Sequence, residues 1–481
     1  MVGLHLSRYL RRTIVLFFIL ATIKGILFAI IIPLGQGPDE PAHIAHILLY
    51  ARQAHAQIVG LHDPSIDPRP LWSPMFWPAT FYEKPDILEN IFKVLQASRF
   101  WELVEAPPPY PAAARDMARS NLIQYIAPRR YTTPLYFYAA SLPLRWLKID
   151  TIFAQWWFLR MLSVGLALGI IGLTYATAKL FWPEETWPPL AAAAFLAFLP
   201  QFSFLSSAVS PDNLVAFLSS ATLYAACRVG SVLKRGKEVW VPVATGLICA
   251  AVKEQGIPVL LFSLLVLPLL LRWRHQNHGR LNNKSVFVLF GIASVFVITL
   301  YFLGEPRAFE RAMTLLRERV SNMASLFFVS PLVYVRFFLI AFVSFWFSYG
   351  WAVYKMPLGW YVIFAAISLL AAIGVARAVV VGRKRNSPET RYTGLAIAMF
   401  VICFFSVILV LGPGDDGVQA RHFIAAFPAI AILVTMGLSE MTSEAYREVS
   451  LRGFTIFMLF VNAITVTKYL IPLFYLGRVH S

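Results

Sequence analysis

The chain contains a series of apolar segments that are each about as long as a bilayer is thick, and this feature constrains its fold most. An α-helix needs roughly 20 consecutive apolar residues to cross the hydrocarbon core. The first such segment, Thr13–Leu34, follows three arginines near the N-terminus. Because 58% of all residues are hydrophobic and only 14% are charged, the sequence predicts an all-α polytopic membrane protein, with one transmembrane domain over residues 1–481.

The basic residues determine the predicted orientation. They lie in short clusters between the apolar segments, as is typical of cytoplasmic loops. With these clusters in the cytoplasm, the N-terminus is cytoplasmic and the chain has about eleven transmembrane helices. The predicted crossings are Thr13–Leu34, Thr151–Leu180, Trp187–Ser206, Asn213–Val229, Val239–Ala251, Ile257–Leu271, Ser285–Leu303, Leu358–Val381, Thr393–Leu411, Phe423–Leu438 and Phe454–Leu476.

Two shorter apolar runs, Pro134–Leu144 and Pro331–Tyr349, determine how many crossings are counted. A full crossing at either run would move later basic clusters outside, so the charge bias favours eleven, with twelve and thirteen as alternatives. With eleven, residues 35–150 form a long structured extracytoplasmic loop, and residues 304–357 form a second one with juxtamembrane helices. Amphipathic helices in the first loop are predicted at Ile91–Trp101 and Ala112–Ile126.

The net charge of +17 raises the question of nucleic acid as a partner. The basic residues follow the loops between apolar segments, however, so membrane lipid accounts for them and no nucleic-acid partner is predicted. The three cysteines, Cys227, Cys249 and Cys403, lie within apolar runs. They predict neither a disulfide framework nor a metal cluster.

A set of polar residues lies at the outer ends of the predicted crossings. Asp39, Glu40 and His43 come shortly after the first crossing, and Pro41 suits the first position of a helix. Ionisable groups at the edge of the hydrocarbon region are costly unless they are paired or functional. The set therefore predicts a polar cavity at the outer membrane surface. Its other members are Arg130, Tyr131, Arg160, Asp212, Lys253, Gln419, Arg421 and His422.

Each motif also has a structural interpretation. The acidic pair after the first crossing suits the N-terminus of a helix that lies in the membrane interface. Asp212 follows a proline, as in a helix cap, and Lys253 suits an ion pair between two helices. Arg421 suits a helix end from which its side chain reaches the headgroups. Arg160, in this interpretation, pairs with Asp212.

Carboxylates beside cations suit a group transfer from a lipid-linked donor. A carboxylate takes the proton from a hydroxyl that attacks an activated carbon, and Lys or Arg holds the leaving phosphate. The sequence has no recognisable nucleotide-binding loop, zinc-ligand spacing or nucleophile elbow, so a soluble nucleotide donor is not indicated. A divalent metal ion on Asp39, Glu40 and Asp212 stays open as an alternative to metal-independent chemistry.

Seven stretches that span nearly the whole chain form an ordered set. They are GPDEPAHIAHILLYARQ, YTTPLYFYAASLPL, FLRMLSVGLAL, LPQFSFLSSAVSPDNLVAF, AVKEQGIPVLL, SFWFSYGWAVYKMP and GVQARHFIAAFPAI. In order and spacing they resemble the GT-C superfamily of integral membrane glycosyltransferases, and most of all a poorly characterised bacterial family. The resemblance implies a GT-C-like fold in the bacterial cytoplasmic (inner) membrane, with an extracytoplasmic active site.

The acidic pair resembles the Asp-Glu pair of protein O-mannosyltransferases, which use a polyprenyl-phosphate sugar and an aspartate base. The resemblance implies inverting transfer of a monosaccharide to an acceptor hydroxyl on a glycan, lipid or protein. Asp39 is then the general base and Glu40 a second catalytic carboxylate. The implied ligands of the donor phosphate are Lys253, Arg160, Arg421 and His422, and the implied supporting residues are His43, Asp212, Gln419, Arg130 and Tyr131.

Two other functional classes stay open. A transporter or flippase of lipid-linked sugars also carries charges beside the membrane, but it favours broken helices in repeated halves, and no internal repeat is recognisable. A polysaccharide ligase or polymerase also uses arginine and histidine outside the membrane. Its acceptor-activating residues are expected in a late outer loop rather than directly after the first crossing.

Overall fold

A computed structural model gives the architecture of the protein. The residues that it describes are 2–52, 85–98, 135–231, 240–266, 321, 332–349, 354–385, 394–399, 401–403 and 419–476. Every regular element in these ranges is helical, apart from an isolated antiparallel bridge between Tyr349 and Tyr354. The predicted helical class is confirmed.

The first half of the chain forms eight described helices. They are α1 (Val2–Ile31), α2 (Glu40–Arg52), α3 (Pro85–Ala97), α4 (Leu135–Leu147), α5 (Ile152–Phe181), α6 (Trp187–Phe198), α7 (Pro200–Ser207) and α8 (Pro211–Ser231). Local capping chemistry determines where some of them begin. At the start of α5, the Thr151 hydroxyl accepts a hydrogen bond from the Ala154 N–H at 3.2 Å. Prolines occupy the first turns of α6 and α7, where a missing N–H costs nothing.

The second half alternates helices with short turns. Its elements are α9 (Val241–Val252), a 3₁₀ turn (Glu254–Gly256), α10 (Ile257–Val266), α11 (Leu332–Trp346), α12 (Leu358–Arg385), a 3₁₀ turn (Ala420–Ala426), α13 (Phe427–Met441), α14 (Glu444–Ile464), a π-helical turn (Thr465–Leu470) and α15 (Ile471–Tyr475). A further short apolar helix lies within residues 394–403. The two 3₁₀ turns contact each other.

Five segments in the described ranges are long and apolar enough to cross a membrane. α6 and α7 together form a sixth candidate, although the two helices are bent by 61° relative to each other. The chain is therefore a multi-pass membrane protein. The five segments are Arg12–Ile31, Ile152–Phe181, Leu358–Val380, Ala420–Met441 and Glu444–Tyr475.

The bend between α6 and α7 differs from the straight crossing that the sequence predicts at Trp187–Ser206. Leu199 has an extended conformation, with ψ of 118°. Pro200 disfavours helical geometry at the residue before it and lacks an N–H to continue the hydrogen-bond ladder. The Leu196 carbonyl, which has no N–H of Pro200 to accept, accepts that of Leu199 at 3.3 Å instead, and the Ser203 hydroxyl donates to the Ala197 carbonyl at 3.4 Å.

The described residues account for five or six of the eleven predicted crossings. Ser285–Leu303 lies outside them, and they cover only part of Thr393–Leu411. Three predicted crossings correspond to α8, α9 and α10, which are not among the long apolar candidates. α4 and α11 have 13 and 15 residues, or roughly 20 Å of helix, whereas a crossing needs roughly 30 Å.

α2 lies inside the protein. Ile44, Ile47 and Leu48, which lie on one face of this helix, are completely buried. His43 and His46 are buried as well, and α4 packs along the helix. The interpretation as an interfacial helix is therefore wrong, because the polar side chains of Glu40, His43 and His46 are covered too. Elsewhere in the first loop, α3 corresponds to the amphipathic helix predicted at 91–101, and the one predicted at 112–126 lies outside the described residues.

α12 and α13 approach each other closely at two glycines. A Cβ added to Gly374 would lie 1.9 Å from the Gly437 carbonyl oxygen, and one added to Gly437 would lie 2.0 Å from the Ala371 oxygen. Small residues at such a contact allow two membrane helices to pack backbone against backbone.

Gly374→Ala should therefore force α12 away from α13 and lower the midpoint of thermal unfolding in detergent, with a cost of about 1–3 kcal/mol. Gly359→Ala is the matched control, because a Cβ at Gly359 on the same helix meets no atom within 4 Å. Equal melting temperatures for the two variants would contradict the close contact.

Candidate functional site

The turn between α1 and α2 directs two neighbouring carboxylates to different places. Asp39 has φ of +56°, in the left-handed region that aspartate tolerates better than most residues. The Glu40 N–H donates to the Gly37 carbonyl at 3.2 Å, and the Asp39 carbonyl accepts the His43 N–H at 3.1 Å as α2 begins. As a result, Glu40 is completely buried, whereas the Asp39 side chain is 28% exposed.

Glu40 forms the innermost ion pair with Arg160 of α5. The contact is bidentate, with Nε 2.7 Å from Oε1 and Nη2 2.6 Å from Oε2. Neither side chain is exposed. Burial alone would raise the pKa of the Glu40 carboxyl, but the charge and hydrogen bonds of Arg160 outweigh it and hold that pKa below its usual value. Glu40 is therefore ionised at neutral pH.

The other contacts of Arg160 are with the end of α1. Nη1 donates to the carbonyls of Ala29 (2.8 Å) and Ile32 (2.5 Å), and Nη2 donates to that of Pro33 (3.0 Å). Carbonyls at a helix C-terminus have no partner within the helix, and Arg160 supplies one here. Arg160 thereby joins α1, α2 and α5.

This geometry favours a structural role for Glu40 and Arg160. The sequence predicts Glu40 as a catalytic carboxylate and Arg160 as a phosphate ligand, yet an anion could reach Arg160 only after the buried pair had separated. The pairing of Arg160 with Asp212, which was the structural alternative, is wrong because Arg160 binds Glu40 instead.

A second ion pair connects the start of α8 with the end of α9. Lys253 Nζ lies 2.7 Å from Asp212 Oδ1, and the two side chains are 13% and 7% exposed. Ser210 caps α8, because its hydroxyl accepts the Asp212 N–H at 3.2 Å. The interpretation of Asp212 as the cap is therefore wrong, and its carboxylate is directed to Lys253.

A third ion pair lies farthest out. Arg421 Nη1 is 2.6 Å from Asp39 Oδ2, and the Arg421 side chain is 18% exposed. Gln419 and His422 hold the surrounding 3₁₀ turn through a reciprocal capping box, in which the Gln419 N–H donates to His422 Nδ1 at 3.1 Å. Because Nδ1 accepts this hydrogen bond, the proton of a neutral His422 is on Nε2.

His43 connects α2 to the segment before α8. Its Nδ1 is 3.0 Å from the Val209 carbonyl and carries a proton, since a carbonyl only accepts. The Val209 N–H donates to Glu40 at 3.1 Å, so α2 binds both polar groups of this residue. Burial lowers the pKa of His43, and Lys253 adds to this, while Asp39 and Asp212 oppose it. His43 is therefore neutral at neutral pH.

The two outer ion pairs and the two histidines form one group, the acid–base cluster (Asp39, His43, Asp212, Lys253, Arg421 and His422). Both histidines interact electrostatically with both aspartates and with the lysine. These residues come from four separate parts of the chain, namely the first loop, the start of α8, the end of α9 and the turn before α13. The structure thus brings together most of the residues that the sequence predicts for one outer cavity.

Tyr136 of α4 is a site residue that the sequence analysis did not single out. It is buried and interacts electrostatically with Asp212 and Glu40. Burial, with a smaller contribution from these carboxylates, raises the pKa of its phenol, which stays protonated and can donate a hydrogen bond. Its motif YTTPLYFYAASLPL was noted, but nothing in the pattern separates Tyr136 from the aromatic residues beside it.

The part of the chain that matches a known protein family includes every residue of the acid–base cluster. A family model described as "Predicted membrane protein (DUF2142)" matches residues 22–434. The chain belongs to this family. No curated protein and no solved structure matches it.

The three carboxylates that the sequence left open as metal ligands in this DUF2142 protein each face a different cation. Within the described ranges, no group of three or more His, Cys, Asp or Glu side chains is placed to hold a metal ion. Two predicted supporting residues, Arg130 and Tyr131, lie outside those ranges.

Glu40→Gln should destabilise the protein by about 3–5 kcal/mol, because Arg160 would keep its charge in a buried place without a partner. Thermal unfolding in detergent measures the loss. Glu448→Gln is the control, since it removes one partner of the exposed Glu448–Arg452 pair on α14 and should cost less than about 1 kcal/mol. Similar losses for the two variants would contradict the structural role of Glu40.

Proposed function

We propose that this DUF2142 protein is a GT-C-type glycosyltransferase. It transfers a monosaccharide from a polyprenyl-phosphate sugar to a hydroxyl of a glycan, lipid or protein acceptor, with inversion, on the outer side of the bacterial cytoplasmic membrane. The observation that supports this most is the contact of Asp39 with Arg421, in which a carboxylate of the first loop meets a cation 382 residues later at 2.6 Å. Lys253 and two histidines lie beside it.

The exposure of the three ion pairs indicates which cations serve the donor. Arg160 is fully buried, whereas Lys253 and Arg421 keep 13% and 18% of their side-chain surface exposed. A phosphate oxygen is an acceptor of the same charge type as a carboxylate, so it can replace Asp212 on Lys253 and Asp39 on Arg421. The N–H at Nε2 of the neutral His422, a residue that interacts electrostatically with both cations, offers a further hydrogen-bond donor.

Binding of the donor in this way would release Asp39 from Arg421. The acceptor hydroxyl oxygen then bonds to the anomeric carbon while the bond from that carbon to the phosphate oxygen breaks, and the phosphate leaves with the electron pair. Lys253 and Arg421 stabilise the charge that develops on the phosphate. Of the two adjacent carboxylates, Asp39, the base implied by the resemblance, is the one that a hydroxyl can approach, since Glu40 is completely buried.

A protein with this function would have a GT-C topology with about eleven crossings and a cytoplasmic N-terminus. The polytopic helical architecture and the basic clusters between apolar segments support this topology. In this topology the acid–base cluster faces the extracytoplasmic side, where lipid-linked sugars and envelope acceptors meet.

A transporter or flippase of lipid-linked sugars is the second candidate. The bend between α6 and α7 favours it, because broken helices are common at the binding sites of transporters. Reconstituted vesicles distinguish the two functions: a transferase moves labelled sugar from lipid to acceptor, whereas a flippase moves the intact lipid between leaflets.

Asp39→Asn should lower transfer of sugar from a polyprenyl-phosphate donor at least about 100-fold, because the amide neither accepts the proton nor stabilises positive charge. Asparagine tolerates the left-handed backbone at this position, so the fold should persist. Asp150→Asn, an exposed substitution at the start of α5, should leave the rate unchanged. Near-normal turnover of Asp39→Asn would remove Asp39 from the reaction.

Lys253→Gln should raise the donor KM about tenfold or more and change kcat less, because it removes a cation that binds the phosphate before and during the reaction. Steady-state kinetics at saturating acceptor measure the effect. Lys355→Gln, at an exposed lysine, is the matched control. An unchanged donor KM would exclude Lys253 as a phosphate ligand.

A further inference from the structure

We propose that His43 receives the proton of the acceptor hydroxyl and that Asp39 stabilises the imidazolium that forms. This inference rests on the proposed transfer reaction and replaces the base that the resemblance implies. It makes His43 a catalytic residue rather than a supporting one.

The hydrogen bonds of His43 leave the correct nitrogen for this role. Nδ1 carries the proton and donates it to the Val209 carbonyl at 3.0 Å, so the lone pair of the neutral ring is on Nε2. Among the described residues, Nε2 has no hydrogen-bond partner. His43 keeps 8% of its residue surface exposed and interacts electrostatically with Asp39, Asp212 and Lys253, which places it where a hydroxyl that enters the acid–base cluster would be bound.

The intrinsic basicities of the two side chains favour His43 over Asp39 as the proton acceptor. In the free protein Asp39 is paired with Arg421 at 2.6 Å, and a carboxylate that the donor has released is still a weak base, because the intrinsic pKa of an aspartate is about 3.9. An imidazole has an intrinsic pKa of about 6.5 and is the better base near neutral pH. The charged groups near His43 are Asp39 in the turn before α2, Asp212 of α8 and Lys253 at the end of α9. The ring of Phe137 of α4 packs against the imidazole, with 6.0 Å between the ring centroids.

Binding of the donor would strengthen this base. In the free protein, the positive charge of Lys253 disfavours protonation of His43. A phosphate on Lys253 balances that charge and adds negative charge beside the ring, so the affinity of Nε2 for a proton rises as the donor binds. The hydroxyl oxygen then bonds to the anomeric carbon, its proton moves to Nε2, and the electron pair of the broken carbon–oxygen bond leaves with the phosphate.

The test distinguishes the role of Nδ1, which binds the Val209 carbonyl, from that of Nε2, which would accept the proton. In His43→Asn, the side-chain amide can still donate to the Val209 carbonyl, but the acceptor at Nε2 is lost. His43→Ala removes both groups. His46→Asn is the matched control, because His46 is buried on the same helix and also packs against the Phe137 ring. Each variant is assayed for sugar transfer and for thermal unfolding.

We expect His43→Asn to unfold near the wild-type temperature and to lose about 100-fold or more in kcat, with a donor KM close to wild type. His46→Asn should retain wild-type kcat. If His43→Asn turns over within about threefold of wild type and only His43→Ala is impaired, His43 acts through Val209 alone. That outcome overturns the inference and leaves the transfer reaction standing, whereas absence of transfer by the wild type overturns both.

The pH dependence of the wild-type protein gives a second test, which requires no substitution and so does not depend on whether a variant folds. Activity should fall on the acid side as His43 becomes protonated, in kcat/KM for the free protein and in kcat for the donor complex. The apparent pKa of this acid limb should be higher in the profile of kcat than in that of kcat/KM, because bound phosphate stabilises the imidazolium. An apparent pKa that is equal or lower in the kcat profile overturns the inference.

Discussion

The buried pair of Glu40 and Arg160 is the interaction on which the arrangement of the site depends. Removing two charges from water costs several kcal/mol for each ion, and only good geometry offsets it. Here both carboxylate oxygens bind the guanidinium, and the guanidinium also binds three carbonyls at the end of α1. The Val209 N–H completes the contacts at 3.1 Å. The pair therefore fixes α1, α2, α5 and the approach to α8 relative to one another.

The positions of Asp39 and of the Asp212–Lys253 pair follow from this contact. Because Glu40 is held in the interior, the left-handed backbone at Asp39 directs the adjacent carboxylate outwards to Arg421. Because His43 and Glu40 both bind Val209, the start of α8 is fixed as well, and Asp212 lies three residues later. A single structural pair thus places the more exposed pairs, which are the ones that a substrate can reach.

The sequence predicted the parts of this protein that depend on local pattern. Apolar length predicted α1, α5, α12, α13 and α14, and the outer polar motifs predicted a convergent site. The division of roles within the acidic pair was not predictable, because it depends on partners 120 and 382 residues away. The burial of α2 was missed for a related reason: its polar side chains look interfacial until their buried partners are known.

The charges of the three ion pairs explain why donor binding and proton transfer should be linked. Three carboxylates balance three cations, and both histidines lie among them without adding charge when neutral. A bound phosphate adds at least one negative charge to a region with little exposure to water, where electrostatic effects are strong. Protonation of a nearby imidazole restores the balance. Because the inner pair is fully buried and fixed, the outer pairs and His43, which interacts electrostatically with Asp39, Asp212 and Lys253, are the groups that can respond.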